Sequence, residues 1–433
     1  MTIPAAGANL PVRESPAVPP AGPGAAPAGP AADDGRAGRS ALEDVCAVLW
    51  PPPATVRTAR SRAPRADERE LIVLPGVRHP RLLVPSGRRA SAAAVRRYGE
   101  PGSARAWAGS RALALALACG AGTAGLGGRL RVQVPAGSGT IEAHLSAALG
   151  RDISISTHLG AARANRKPVL QLLTARGEAA GFAKISINPL TRDLIRAERA
   201  ALDTLGCENF SGLSVPRVLH YGSWHDHEVL ILSALPVWRS RRKLRPGQLA
   251  AAMAEVAAVG GRGRGSLADS GYLARLRSRL SAVPVSADRA ALDAALGTLT
   301  AAAGNTSLTF GAWHGDWTGW NMANTAGGLL VWDWERFTTD VPAGFDLLHY
   351  RLQSAVVRRG EPPRAAAASC ASVAADTLAP LGVPADEARL TALLYLADLS
   401  VRYLADRQAE AGARLGSPST WLIPAIEEAV TRL

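Results

Sequence analysis

Lysine is almost missing from this chain of 433 residues: Lys167, Lys184 and Lys243 stand alone among 49 basic residues. Cysteine is scarce as well. Cys46, Cys119, Cys207 and Cys370 lie far apart with no C-x-x-C pair, which argues against a disulfide framework or a cysteine metal site and fits a reducing cytosol. Long apolar runs are absent too. The most apolar stretch, Ala112 to Ala118, is far too short to span a bilayer. The opening residues, M-T-I-P-A-A-G-A-N-L-P-V-R, lack the apolar core of a signal peptide. The expectation is a soluble cytoplasmic protein with no membrane partner.

Acidic residues are outnumbered, and the net charge is +13. Residues 1–150 carry 18 basic and 10 acidic groups, residues 151–240 carry 11 and 8, and residues 241–433 carry 20 and 18. The excess is spread as single arginines and pairs such as Arg88-Arg89 and Arg96-Arg97. No nucleic-acid motif or aromatic stacking pattern accompanies them, so a solvated basic face is expected and no nucleic-acid partner; anionic partners stay open.

What is present divides the chain into four blocks. Residues 1–68 are rich in Pro, Ala, Gly and Arg with little apolar periodicity, which predicts a disordered tail with at most a short helix near Ala41 to Leu49. Residues 69–150 read as an α/β extension of unassigned role. It has a hairpin around a Pro-Gly turn, helices over 90–98 and 104–118, and a strand over 130–134. A last helix over 141–149 is capped by Thr140 and ended by Gly150. Residues 151–240 are β-rich, and residues 241–433 helical. Leu393, Leu394, Leu396, Ala397, Val401 and Leu404 fall close to one helix face, which predicts core packing.

The densest chemistry lies between Leu308 and Asp346, in L-T-F-G-A-W-H-G-D-W-T-G-W-N-M-A-N-T-A-G-G-L-L-V-W-D-W-E-R-F and the residues just after it. Leu308 to Trp313 and Leu329 to Trp332 are short apolar runs, with a Gly327-Gly328 turn signal before the second. Paired as a hairpin, they would bring Asp316 and Asn321 close to Asp333. Two carboxylates and an amide oxygen suit a hard cation such as Mg2+.

H-G-D-x-x-x-x-N followed by an apolar strand and D-W-E resembles the catalytic segment of the aminoglycoside and choline phosphotransferases, small-molecule relatives of the protein kinases. The resemblance covers about residues 152–433. It implies an α+β, two-lobed protein kinase-like fold with a β-rich small lobe of five strands and a helical large lobe, here with an extra N-terminal module. It also implies an ATP- and Mg2+-dependent phosphotransferase acting on a hydroxyl group of a small molecule. Asp316 would be the catalytic base, and Asn321 and Asp333 the metal ligands. Lys184, in the third strand candidate, would grip the nucleotide phosphates, with Glu198 fourteen residues on to position it. Gly160 is the single glycine of the loop that would cover the phosphates, where protein kinases carry several. Ser233 and Leu235 would form the interlobe hinge that meets adenine. Asp346 would brace the catalytic loop, with helix N-capping as the other reading, and a ring nitrogen of His314 would fix the loop backbone.

Only eleven residues separate Asp333 from Phe345, with no A-P-E, too short for a peptide-docking activation segment, so a protein kinase is set aside. The alternative from another class is a nucleotide-binding, pseudokinase-like scaffold acting through protein partners. A polycationic acceptor needs a surplus of carboxylates, and the near-balance of residues 241–433 predicts a neutral or anionic acceptor, sugar-like or another metabolite, over an aminoglycoside. Oligomeric state has no signature in the sequence.

Overall fold

The computed structural model describes residues 31–59, 65, 67–97, 104–120, 127–135, 137–159, 167–238, 240–245, 247–406 and 417–431. The first part of the chain runs α1 (Ala31–Leu49), β1 (Thr55–Ala59), β2 (Glu68–Leu74), β3 (Leu82–Pro85), α2 (Arg88–Arg97), α3 (Ala104–Ala118), β4 (Gly128–Gln133) and α4 (Ile141–Leu149). It continues through β5 (Ser154–His158), β6 (Val169–Leu173), β7 (Ala179–Ile185), α5 (Pro189–Leu205), β8 (Leu213–Ser214), β9 (Val218–Trp224) and β10 (His227–Leu232). Nine of these strands form one antiparallel sheet in the order β1-β4-β2-β3-β5-β6-β7-β10-β9.

The run L-I-V-L in β2 has no polar alternation, as suits a strand covered on both faces. Leu71 and Val73 face a core shared with α1 and α4, while Ile72 and Leu74 face one shared with α2 and α3. The sheet runs across the expected division at residue 150: β3 pairs with β5 through Leu82 opposite His158 and Leu83 opposite Thr157, so strands of residues 69–150 continue the five expected small-lobe strands, β5-β6-β7-β10-β9, in one sheet.

The expected tail is corrected. Leu42, Val45 and Leu49 form a stripe on α1 and are buried in the sheet's core. The indole N–H of Trp224 donates to Val48 O at 3.2 Å, and that of Trp50 to Glu142 at 3.3 Å. Residues 1–30 lie outside the described residues. Thr140 caps α4, accepting from Ala143 N–H at 3.0 Å, and Gly150 ends it in the left-handed region with φ 63°.

The second part holds α6 (Gln248–Ala257), β11 (Gly263–Ser266), α7 (Gly271–Ser281), α8 (Ala287–Ala303), β12 (Ser307–Trp313), β13 (Met322–Thr325), β14 (Gly328–Val331) and β15 (Thr338–Pro342). Then come α9 (Phe345–Gln353), a π-helical turn at Ser354–Arg358, α10 (Pro363–Ser372), α11 (Ala374–Leu378), α12 (Ala385–Ala405) and α13 (Leu422–Val430). Leu393, Leu394, Tyr395, Leu396 and Ala397 in α12 have no exposed surface at all. The helix is therefore buried all round, where a single apolar face was expected.

The hairpin also differs from expectation. β12 pairs with β11 and β15, and β14 pairs with β13. The run after His314 is long enough to supply its own strand, Met322–Thr325, so the hairpin closes locally. Its two ends still bring Asn321 and Asp333 together: Trp332 N–H donates to Asn321 O at 3.0 Å.

Candidate active site

β12 delivers the chain into the H-G-D loop. Gly315 has φ 83°, and the Arg336 carbonyl occupies the space a Cβ would need, so a side chain at this position is excluded twice over. His314 is fully buried between the indoles of Trp317 and Trp334, with ring centroids 5.8 and 4.4 Å away. Its Nδ1 accepts from Asp316 N–H at 3.1 Å, so the ring proton sits on Nε2 and is donated to Trp332 O at 3.0 Å. Burial pushes its pKa down to about 4, in keeping with that neutral tautomer. Asp346 accepts from the N–H groups of His314 at 2.7 Å and Gly315 at 3.2 Å. Its expected bracing contact is thus present in the geometry. Burial pushes its carboxyl up to about 7, against the pull of those two donors.

Asp316 stands on this platform with its side chain about one-third exposed (35%). Its Oδ1 accepts from His349 Nε2 at 3.0 Å and its Oδ2 from Asn321 Nδ2 at 3.0 Å; the same amide reaches Asp316 O at 2.9 Å. His349 Nδ1 in turn meets the Tyr395 hydroxyl at 3.0 Å. Burial raises the Asp316 pKa, but the His349 hydrogen bond and the nearby Arg402 outweigh it and hold the carboxyl below its usual range. The buried Arg402 also donates to Gly315 O.

β7 presents Lys184 to the same loop region. Its ammonium meets Glu198 at 2.7 Å and Asp333 at 2.6 Å. Burial would lower the lysine pKa, yet the carboxylates of Asp333, Glu198 and Glu335 hold it well above the usual value. Glu198 sits on α5 among Leu194, Ile195 and Leu202, on the buried stripe. A carboxylate there, with no exposed surface, needs a cation. Asn188 starts this helix with a capping box, its side chain accepting from Thr191 N–H at 2.8 Å. Asp333 lies in the left-handed region with φ 73°. Burial raises its pKa, but Lys184 and Lys167 together take it far below the carboxylate range. Glu335, in D-W-E, pairs with Lys167. The carboxylates of Glu198, Asp333 and Glu335 have oxygens within 4.8 Å of one another.

The structure thus brings Lys184, Glu198, Asp316, Asn321, Asp333 and Asp346 into one site. For a hard cation the donor set fits: Asp333 is ionised and partly exposed, and the Asn321 amide is turned so that its N–H2 faces Asp316. That leaves its Oδ1 as an oxygen donor. Ser233 and Leu235 follow β10. Ser233 exchanges hydrogen bonds with Arg217, and Leu235 O accepts from Val237 N–H at 2.8 Å. Leu235 N–H has no partner among the described residues. Gly160 lies outside the described residues. Sequence reading missed His349, Arg402, Lys167 and Glu335. His349 was findable as the residue one turn after Asp346 on the same helix, whereas Arg402 reaches the loop from α12 with no local signal.

No family model and no curated protein matches the sequence. Among solved structures, the chain is similar to a thermostable mutant of an aminoglycoside phosphotransferase in ternary complex with ADP and hygromycin B. The two are 14% identical, with 67% of this chain and 98% of that chain covered and a TM-score of 0.46. It is also similar to a protein from Thermobifida fusca described as a fructosamine-3-kinase (18% identity, 69% and 100% covered, TM-score 0.41). A third similarity is to a choline kinase from Streptococcus pneumoniae (13% identity, 61% and 90% covered, TM-score 0.38).

Proposed function

We propose that the protein is an ATP- and Mg2+-dependent phosphotransferase that acts on a hydroxyl group of a small molecule. The observation that carries this reading is Asp316: an ionised, partly exposed carboxylate with both oxygens fixed by His349 and Asn321, on the same hairpin mouth that holds Asp333 paired with Lys184. Fixed donors and acceptors are what phosphoryl transfer asks of a protein, since little covalent chemistry falls to the enzyme itself.

In the reaction the bond between the γ-phosphorus and the β–γ bridging oxygen breaks, and a bond from that phosphorus to the acceptor oxygen forms. ADP leaves with the bridging oxygen, and the acceptor proton passes to Asp316 and then to solvent. A carboxyl held at low pKa is a weak base, so Asp316 chiefly orients the hydroxyl and takes its proton late. Lys184 holds the α- and β-phosphates, and Glu198 holds Lys184. Asn321 and Asp333 would hold the metal ion, which offsets charge on the transferring group when bound. Leu235 N–H is the hinge donor for adenine.

The test is ADP release by the full chain with Mg·ATP, measured against sugars, sugar acids, amino alcohols, nucleosides and aminoglycosides. Acceptor-dependent release is expected for a neutral or anionic compound. Tight nucleotide binding with no transfer to any acceptor would instead favour the scaffold reading.

A further inference from the structure

Among the described residues, the Arg358 guanidinium lies against the catalytic loop without a counter-ion. α9 does not end in a plain α-turn. Ser354–Arg358 is π-helical, and Arg359 N–H donates back to Ser354 O at 3.1 Å. Such turns are rare and occur often at functional sites. The π-turn ends at Arg358, which is exposed and lies against Gly319, midway along the loop from Asp316 to Asn321. A Cβ at Gly319 would sit 3.8 Å from Arg358 Nη1 and 4.0 Å from its Cδ.

Three other arginines near the loop and the π-turn are engaged: Arg402 with Gly315 O, Arg336 with Asp406, Arg359 with Glu361. Among the described residues Arg358 has no carboxylate or carbonyl partner. The Asp316 carboxylate is already met by His349 and Asn321. A guanidinium left free against the loop that carries Asp316 presents a planar fork of donors that matches a carboxylate or phosphate. The same charge penalises an acceptor that carries ammonium groups.

We infer that Arg358 is the specificity residue of the acceptor site, and that the acceptor carries an oxyanion, a carboxylate or phosphate group, as well as its reacting hydroxyl. This rests on the phosphotransferase reading and narrows its substrate class. Gly319 is three residues from Asp316, so the α-carbons of these two loop residues are at most about 11 Å apart, and Arg358 lies against Gly319 at one end of that short span. That span suits a small metabolite such as a hydroxy acid, a sugar acid or a sugar phosphate.

The test uses the full chain with Arg358→Gln and Arg358→Lys, and acceptors paired to differ only in charge. The pairs are glycerate with glycerol, gluconate with glucitol, and glucose 6-phosphate with glucose. ADP release gives kcat and KM, and calorimetry with Mg·AMP-PNP present gives binding of the same compounds. In the parent protein an anionic member is expected to show a KM at least about 10-fold below its neutral partner. Arg358→Gln should raise that KM roughly 10-fold or more, as for a lost charged hydrogen bond. Its kcat should stay within about three-fold, Arg358→Lys should recover part of the loss, and the neutral partner should be unaffected. The carboxylate and phosphate arms tell which oxyanion is read. Binding or turnover confined to neutral or cationic compounds overturns the inference while leaving the phosphotransferase reading intact. So does an equal KM shift for both members of a pair, or no binding of any anionic member to a nucleotide-loaded protein. Failure of the protein to bind Mg·nucleotide overturns both.

Discussion

At the scale of single residues, the proposed function gives Asp316 and Asp333 two different tasks, and their surroundings differ accordingly. Asp316 is bound by His349 and Asn321 and partly exposed, whereas Asp333 is paired with a cation and strongly ionised. Asp316→Asn is therefore expected to cut transfer roughly 10²-fold or more while nucleotide affinity stays within a few-fold. Asp333→Asn is expected to lose turnover by about 10²-fold or more and to weaken Mg·nucleotide binding. Calorimetric titration with Mg·AMP-PNP beside initial rates separates the two; the reverse pattern would exchange their roles. Asp346 gives a pH signature. Its pKa is raised to about 7 in the fold, against about 3.9 in an unfolded chain, so the folded state binds the extra proton between those values. Its contribution is present at acid pH and lost as pH rises through about 7. The stability difference between the parent and Asp346→Asn, read from urea unfolding, should thus shrink from pH 5 to pH 8. His314 and His349 are common to both proteins and cancel. Asp316, Asn321 and Asp333 were legible because their spacing is local; Arg402 was not, because its contact with the loop spans 87 positions.

At the scale of elements, what could be read depended on whether an element's partner lay nearby in the chain. α4 was legible to the residue, since Thr140 and Gly150 are its own punctuation. The pairing of β12 was not, since its partners β11 and β15 lie on either side of the motif and the run before Gly327 looks equally available. Of α1 only a short helix near Ala41 to Leu49 was legible, and its packing was not, for another reason. Its stripe of Leu42, Val45 and Leu49 is thin, set in an Ala, Gly and Arg background, and only the sheet makes it a packing face. Leu49 has no exposed surface. Leu49→Ala is expected to cost about 2–5 kcal/mol, the range for a truncated core leucine, and to lower the urea midpoint without altering its slope. A cost near zero would mean that α1 adds nothing to the sheet.

At the scale of the whole molecule, Lys184 joins three parts: strand β7, helix α5 through Glu198, and the helical lobe through Asp333. The resemblance carried by the motif reached both lobes from residue 152 onward, but of the first four strands only β2 and β3, as a hairpin, and β4, as a lone strand, were visible, while β1 fell inside the expected disordered tail. The Lys184 junction gives a prediction that tests electrostatics apart from packing. Methionine nearly matches the lysine stem in length, so Lys184→Met keeps much of the volume and removes the charge. Glu198, fully buried, would then retain only the Trp334 N–H at 3.3 Å. Stranding a buried carboxylate costs about 3–5 kcal/mol. Burial already raises the Glu198 pKa, and losing the ammonium raises it further. A carboxyl with a raised folded pKa stabilises at low pH and ceases to do so as pH rises through that value. Lys184→Met should therefore lie closer to the parent protein at pH 5 than at pH 8. Lys184→Met combined with Glu198→Gln should recover much of the loss at pH 8, because the stranded charge is gone. Urea unfolding of the three proteins at both pH values measures this. If the loss is the same at pH 5 and pH 8, and the double variant recovers nothing, the lysine stem and not its charge is what joins the lobes.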